Sequence, residues 1–316
     1  MNDMIPRRTK VELDTVSHEH VGRRIDNYLA SRLRHAPRSL IYKLLRSGQI
    51  RVNGGRVKPH YRLVASDEIR IPPVNAAQPR GTLAPRSRLH EMECAILYED
   101  EHFLIVNKPA GLASHAGTGL SYGLIDLVRE LRPNAPRIDL GHRLDRDTSG
   151  CLVLSKHLKA LREFHDVLRT RAPVKRYLAL LQGRLPGDLH VIDAALASTR
   201  GEGGERHAEV SEKGKAACTV VEACSPAGPH SLVELRLVTG RMHQIRSHAR
   251  YIGHPVAGDR RYGTGHFNDA MKKLGLNRLF LHASHLEFTA FDSRFAVDAP
   301  MPESLTSVLR TLANET

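Results

Sequence analysis

The sequence predicts an α+β protein in two parts: a small basic α/β module, then a larger domain built on a mainly antiparallel mixed sheet. Three observations carry this expectation. Charge is uneven, because residues 1–90 hold 18 Lys and Arg against 7 Asp and Glu, whereas residues 91–316 hold 29 against 27. A Pro/Gly-punctuated stretch without periodicity, residues 74–89, separates two patterned regions. Beyond residue 93 the strand candidates seldom alternate with helices, which favours an antiparallel sheet surrounded by helices and loops. The expected boundaries are an N-terminal extension over 1–21, the small module over 22–74, a linker over 75–92 and the large domain over 93–316.

Composition narrows the class. The 316 residues are 41% apolar and 26% charged, as in globular chains. No apolar run approaches the ~20 residues of a membrane span, and Met1 to Lys10 lacks the apolar core of a secretory leader. A cytoplasmic protein is expected. Cys94, Cys151, Cys218 and Cys224 show no CxxC spacing and read as buried, reduced thiols. The net charge of +13, concentrated in the first third, points to a polyanionic partner, with nucleic acid foremost.

The small module reads as two short helices and a small sheet. Ile25, Tyr28, Leu29 and Leu33 recur at helical spacing, and Leu40, Ile41, Leu44 and Leu45 form the apolar face of a second helix. Arg38, Tyr42 and Arg46 line that helix's other face. Gly48 ends it. Ile50-Arg51-Val52 is a strand, Asn53-Gly54 a hairpin turn, and Glu68-Ile69-Arg70-Ile71 a closing strand. In the larger domain the strand candidates are 103–106, 151–155, 177–182, 218–222, 231–238 and 286–291. The helix candidates are 124–131, 158–169 and 243–252. Leu158, Leu161, Phe164 and Leu168 make a core-facing stripe.

The most informative segment is Gly141-His142-Arg143-Leu144-Asp145-Arg146-Asp147-Thr148-Ser149-Gly150, followed at once by the apolar run Cys151 to Ser155. A polar cluster against a buried strand is where a fold holds a carboxylate rigidly. HRLDRDTSG resembles the catalytic loop of the RluA-type pseudouridine synthases. Further segments match that family in order: Asn107-Lys108-Pro109-Ala110-Gly111, Lys175-Arg176-Tyr177, Thr239-Gly240-Arg241-Met242-His243-Gln244-Ile245-Arg246, Gly258-Asp259-Arg260-Arg261-Tyr262-Gly263, and Arg278 to Ala283 as its last strand. Met242 departs from the usual threonine, and its side chain is expected to face the core. The small module resembles the S4-type RNA-binding fold through Gly22-Arg23-Arg24-Ile25-Asp26, Arg38-Ser39, Gly48 to Gly54 and Asp67-Glu68-Ile69. It departs at Ser66, where glycine is usual.

The resemblance implies an isomerase acting on uridine within RNA, in particular at several separate uridines of 23S ribosomal RNA, or else at another rRNA or tRNA site. It implies a monomer that uses no cofactor. Asp145 would be the catalytic carboxylate, with Arg246 paired to it to keep it charged. Tyr177 would stack on the base and remove the C5 proton late in the reaction, and Ile245 would pack on the base's other side. Arg143 would enter the space left by the displaced base, with His142 and Lys108 as further substrate contacts. Arg38, Lys43, Arg46 and Asn53 would lie near RNA. Asp147 is expected to hydrogen-bond backbone N–H groups of its own loop.

The residues themselves fit two other classes less well. Asp145-Arg146-Asp147-Thr148 also fits the DxDxT pattern of haloacid-dehalogenase-type phosphotransferases, but those need an apolar strand where this chain has His142-Arg143-Leu144. A non-catalytic RNA-binding protein would account for the basic module and would leave the Asp/Tyr/Arg set without a purpose. The 19 histidines contain no HExxH and no Cys/His cluster, so no metal site is expected.

Overall fold

A computed structural model of the chain describes residues 11–33, 36, 38–74, 84–115, 122–135, 137–171, 173–200 and 206–314. The Arg38 side chain and residues 75–83 of the expected linker lie outside the described residues. The chain divides into two units, Met1–Thr82 and Leu83–Thr316.

In the first unit, β1 (Glu12–Thr15) is followed by α1 (Ile25–Arg32), α2 (Arg38–Arg46), β2 (Arg51–Val52) and β3 (Glu68–Ile71). The sheet order is β1-β3-β2, antiparallel throughout. Residues 12–15 therefore belong to this sheet and not to an extension. The strand was hidden because its one large apolar residue, Leu13, stays 64% exposed and gives no apolar alternation. Ile41, Leu44 and Leu45 of α2 pack with Ile25, Tyr28 and Leu29 of α1, which buries both expected helical stripes. Gly48 ends α2 at φ +71°. Asn53 and Gly54 take φ of +48° and +76°, and Val52 and Gly55 exchange both backbone bonds around them, as a two-residue hairpin turn requires. Ser66 sits at φ +67°, which explains why glycine is the usual residue there.

The second unit opens with α3 (Arg86–Cys94), β4 (Ile96–Glu99), β5 (Phe103–Lys108), α4 (Leu124–Leu131), β6 (Asp139–Leu140) and β7 (Ser149–Ser155). Next come α5 (Leu158–Asp166), β8 (Val174–Leu181), β9 (Val191–Asp193), β10 (Leu196–Arg200), β11 (Arg206–Val210), β12 (Cys218–Ala227) and β13 (His230–Leu237). It closes with α6 (Gln244–Tyr251), α7 (Gly265–Lys273), β14 (Leu281–Ala290), β15 (Ser293–Asp298) and α8 (Glu303–Asn314). Helix α3 occupies part of the expected linker. Met92 buries there in the same cluster as Leu127 and Val128 of α4. β15 follows β14, so the segment expected to hold the last strand leads into the penultimate one.

The main sheet runs β4-β5-β7-β14-β8-β13-β12-β9, with β15 on β14 and β6 on β7. All its strand pairings are antiparallel except β7 with β14. β13 alternates buried and half-buried residues along its length, as a sheet strand with unequal faces should. β7 is buried at every position. Its alternate residues serve two cores. Leu152 and Leu154 pack with Leu124 and Val128 of α4, while Cys151 and Val153 pack with Phe164 of α5. A third cluster sets Leu180 and Phe280 against α7 and α8 through Phe267, Met271, Leu305 and Val308. Cys151 is buried as expected, but Cys94 and Cys224 are exposed and Cys218 is half-buried. Among the described residues no helix is long and apolar enough to cross a membrane, and no group of His, Cys, Asp or Glu could hold a metal ion.

Candidate active site

The loop 141–150 is held at its exit and at its centre. At its exit, Gly150 (φ +113°) lies against β14, where a Cβ would come within 2.1 Å of the Ala283 carbonyl oxygen. At its centre, the Arg146 carbonyl accepts from the Gly111 N–H and from Lys108 Nζ, both at 2.9 Å. Arg146 Nε in turn donates to the Gly111 carbonyl at 2.9 Å. The loop thus takes its shape from the turn after β5 and from the start of β14, and Asp145 stands at its apex.

Asp145 is 19% exposed and faces α6. Arg246 Nη1 donates to its Oδ2 at 3.2 Å, and His243 Nε2 lies 3.7 Å from the same oxygen. Arg246 is itself fixed by Asp259, to which it donates from Nε at 2.7 Å and Nη2 at 2.9 Å. Asp259 is buried and also accepts from the Arg261 and Tyr262 N–H groups. Burial opposes its charge, but those hydrogen bonds and the guanidinium win and hold the Asp259 carboxyl below its ordinary pKa. The Tyr262 ring lies 5.0 Å beneath the Arg246 guanidinium. Its hydroxyl accepts from the Ala208 N–H at 2.9 Å and meets His243 Nδ1 at 3.0 Å. His243 precedes α6 in the left-handed region (φ +51°), a strained conformation that turns its ring between Asp145 and Tyr262. Burial holds this histidine below its ordinary pKa, only partly offset by the Asp145 charge.

Tyr177 and Ile245 are 8% and 4% exposed and share one apolar cluster with Leu144, the neighbour of Asp145. Burial first, and then the Asp145 charge, raise the Tyr177 phenol well above its ordinary pKa, so it stays protonated at neutral pH. Arg143 is exposed and makes no ion pair among the described residues.

Several expected contacts fall elsewhere. Lys108 is fully buried, and its ammonium donates to the carbonyls of Pro109, Leu112 and Arg146, each at 2.9 Å. Burial, then the Arg278 charge, push it down to about 7. Enclosed and donating to three loop carbonyls, Lys108 shapes the site. His142 is half-buried and accepts from the Val153 N–H at 3.1 Å, and burial pushes its pKa down to about 4, so it braces β7 as a neutral imidazole. Asp147 is exposed and bonds no backbone N–H among the described residues; the Thr148 N–H donates instead to the Asp145 carbonyl at 3.2 Å. Met242 is half-buried and lines a surface cavity, not the core. In the first unit Lys43 and Arg46 are exposed, as an RNA-facing role needs. Asn53 is exposed too, but its amide is tied to Asp67 and to the Glu68 N–H, each at 2.9 Å, which makes it a turn residue. The sequence alone assigns no role to His243, Asp259 and Tyr262. The available signal was an acid three residues before a tyrosine in a Gly-bracketed turn.

Residues 102–251 match the RNA pseudouridylate synthase family, and residues 23–69 match the S4 domain. Ribosomal large subunit pseudouridine synthase C of Pasteurella multocida is 43% identical over 96% of this chain and 95% of its own. The Escherichia coli protein of that name is also 43% identical, over 96% of this chain and 97% of its own. Among solved structures, human RNA pseudouridylate synthase domain containing 4 aligns with a TM-score of 0.58 at 26% identity, covering 72% of this chain and 96% of its own. The human domain-containing 1 protein aligns with a TM-score of 0.55 at 30% identity, covering 68% and 86%.

Proposed function

This chain belongs to the RluA-type RNA pseudouridylate synthases, isomerases that convert uridine in RNA to pseudouridine, and on that premise we propose that it modifies uridines of 23S ribosomal RNA in the cytoplasm, with Asp145 as the catalytic carboxylate. The names of its relatives support the ribosomal substrate. The observation that carries the site assignment is a partly exposed carboxylate on a rigid loop, bonded to an arginine that a second, buried carboxylate anchors.

The chemistry breaks the N1–C1′ bond, turns the uracil, joins C5 to C1′ and moves one proton from C5 to N1. Nothing is oxidised and no water is consumed. Asp145 supplies the first step, either by adding covalently or by taking a proton from the sugar. Arg246 positions it. Tyr177 packs against the base. Its raised pKa disfavours the phenolate needed to remove the C5 proton, so packing is the role its surroundings support. Ile245 packs opposite. Arg143, exposed two residues before Asp145, enters the space the displaced nucleotide leaves in its stack. The basic first unit adds affinity through phosphate contacts by Lys43 and Arg46, with a steep salt dependence.

The test is tritium release from C5-labelled uridine in unmodified 23S rRNA, in EDTA, by the wild type and Asp145→Asn. Release by the wild type alone is the expected result. Equal release by the variant removes Asp145 from the chemistry, and release from tRNA only would reassign the substrate.

A further inference from the structure

We infer that the second unit carries its own binding site for the RNA backbone beside the target uridine, centred on Gly240. The inference rests on the substrate reading above and deepens it. A cavity of about 390 Å³ opens between the base of the β10–β11 hairpin, the turn 213–215 and the loop that leads into α6. Three cations line it, Lys213, Lys215 and Arg241, and none of its lining residues is acidic. All three are exposed, and among the described residues Arg241 commits only its side-chain Nε, to the Ala216 carbonyl at 3.0 Å. The rim is rigid. Lys215 and Leu196 exchange both backbone bonds at 2.9 Å, and a Cβ on Gly214 would lie 2.4 Å from the Leu196 carbonyl carbon. The lysines on either side of Gly214 are therefore presented by packed backbone.

A second observation meets the first at Gly240. Lys175 shares a strand face with Tyr177, two residues along β8. Its Nζ lies 3.8 Å from where a Gly240 Cβ would stand. No carboxylate pairs with it among the described residues, and burial lowers its pKa. A desolvated ammonium without a counter-charge is costly, and an incoming phosphodiester removes that cost. The cavity also adjoins the catalytic set. Met242, in its wall, precedes His243, and Ala208, also in its wall, donates to the Tyr262 hydroxyl. Phosphodiester oxygens would lie on Lys175, Lys213, Lys215 and Arg241, while the neighbouring base would rest on Leu196 and Met242.

The experiment measures binding of the full-length protein to an unmodified 23S rRNA transcript and to a single-stranded oligouridylate across a range of salt. For Lys213→Ala/Lys215→Ala, affinity for both probes should fall about tenfold, and the slope of log K against log salt should become shallower by about 1.4. Lys175→Met should raise KM at retained kcat, and Lys175→Arg should restore it. An unchanged salt slope in the double variant overturns the site. A fall in kcat at constant KM for Lys175→Met removes Lys175 from it. If the wild type releases no tritium from the transcript, the substrate assignment falls, while the oligouridylate slope still decides on the cavity.

Discussion

Arg246 joins two carboxylates that differ in almost everything but charge. Asp259 is buried, takes two of the guanidinium's bonds and accepts two backbone N–H groups besides. Asp145 is 19% exposed and takes one longer bond. Burial and four hydrogen bonds make Asp259 an anchor. The under-satisfied partner keeps reach toward solvent and substrate. Of the arginine's three carboxylate bonds, two thus go to rigidity and one to the proposed catalytic carboxylate.

The sharpest way to break this comparison is to neutralise each carboxylate in turn. Asp145→Asn should lower tritium release at least about 1,000-fold while leaving RNA affinity and melting temperature close to wild type. Comparable losses from Asp259→Asn, with fold intact, would mean that the anchor and the reacting group had been misassigned. Arg246→Ala strikes both pairs at once. It leaves Asp259 buried without its partner, so urea denaturation should register a loss of about 3–5 kcal/mol together with the loss of turnover. A variant that keeps wild-type stability would show that Asp259 had found water or another cation.

Titration separates the regions further. His142 has a folded pKa of about 4 against an ordinary value of 6.5. Between those values the unfolded chain binds a proton that the folded chain refuses. Stability should therefore fall as pH drops from 6.5 toward 4, by up to about 3 kcal/mol. Asp259, with its pKa lowered, contributes stability that is present above the ordinary carboxylate range and lost as pH falls through its folded value. Urea melts at pH 7 and pH 5 should differ for the wild type and much less for His142→Gln; equal differences would place the buried proton elsewhere. The smallest effect belongs to Tyr262→Phe. It removes the hydroxyl that receives the Ala208 N–H and meets His243, and should cost about 1–2 kcal/mol with turnover reduced modestly.

Legibility in the sequence followed burial. The strands that line the cores, β7, β8 and β13, and the stripes of α1, α2 and α5 were readable because their apolar spacing is dictated by packing. β1, β9 and α3 were not, since most of their residues face solvent and leave no period. In the site, the acidic apex of the loop stood out through its composition. The roles of Lys108 and His142 did not. A cation and an imidazole beside a reactive loop read as ligands until their partners are known, and here the partners are backbone groups. Asp259 was hidden for the converse reason. Its value lies in an arginine thirteen positions away, on a helix whose course the sequence alone does not give.

The parallel register between β7 and β14 has a bearing on timing. Ser149 and Gly150 pair with His282 and Ala283, and Gly150 owes its place to close packing on Ala283. The reactive loop is thus clamped by a segment made more than a hundred residues later. On a translating ribosome, where chains lengthen by ~5–20 residues per second, the loop has only its contacts with the turn after β5 until β14 is made. Closure over so long a separation comes late in folding. A chain that has not reached β14 can form its first unit, but the loop of Asp145, the proposed catalytic carboxylate, is not yet in its final setting.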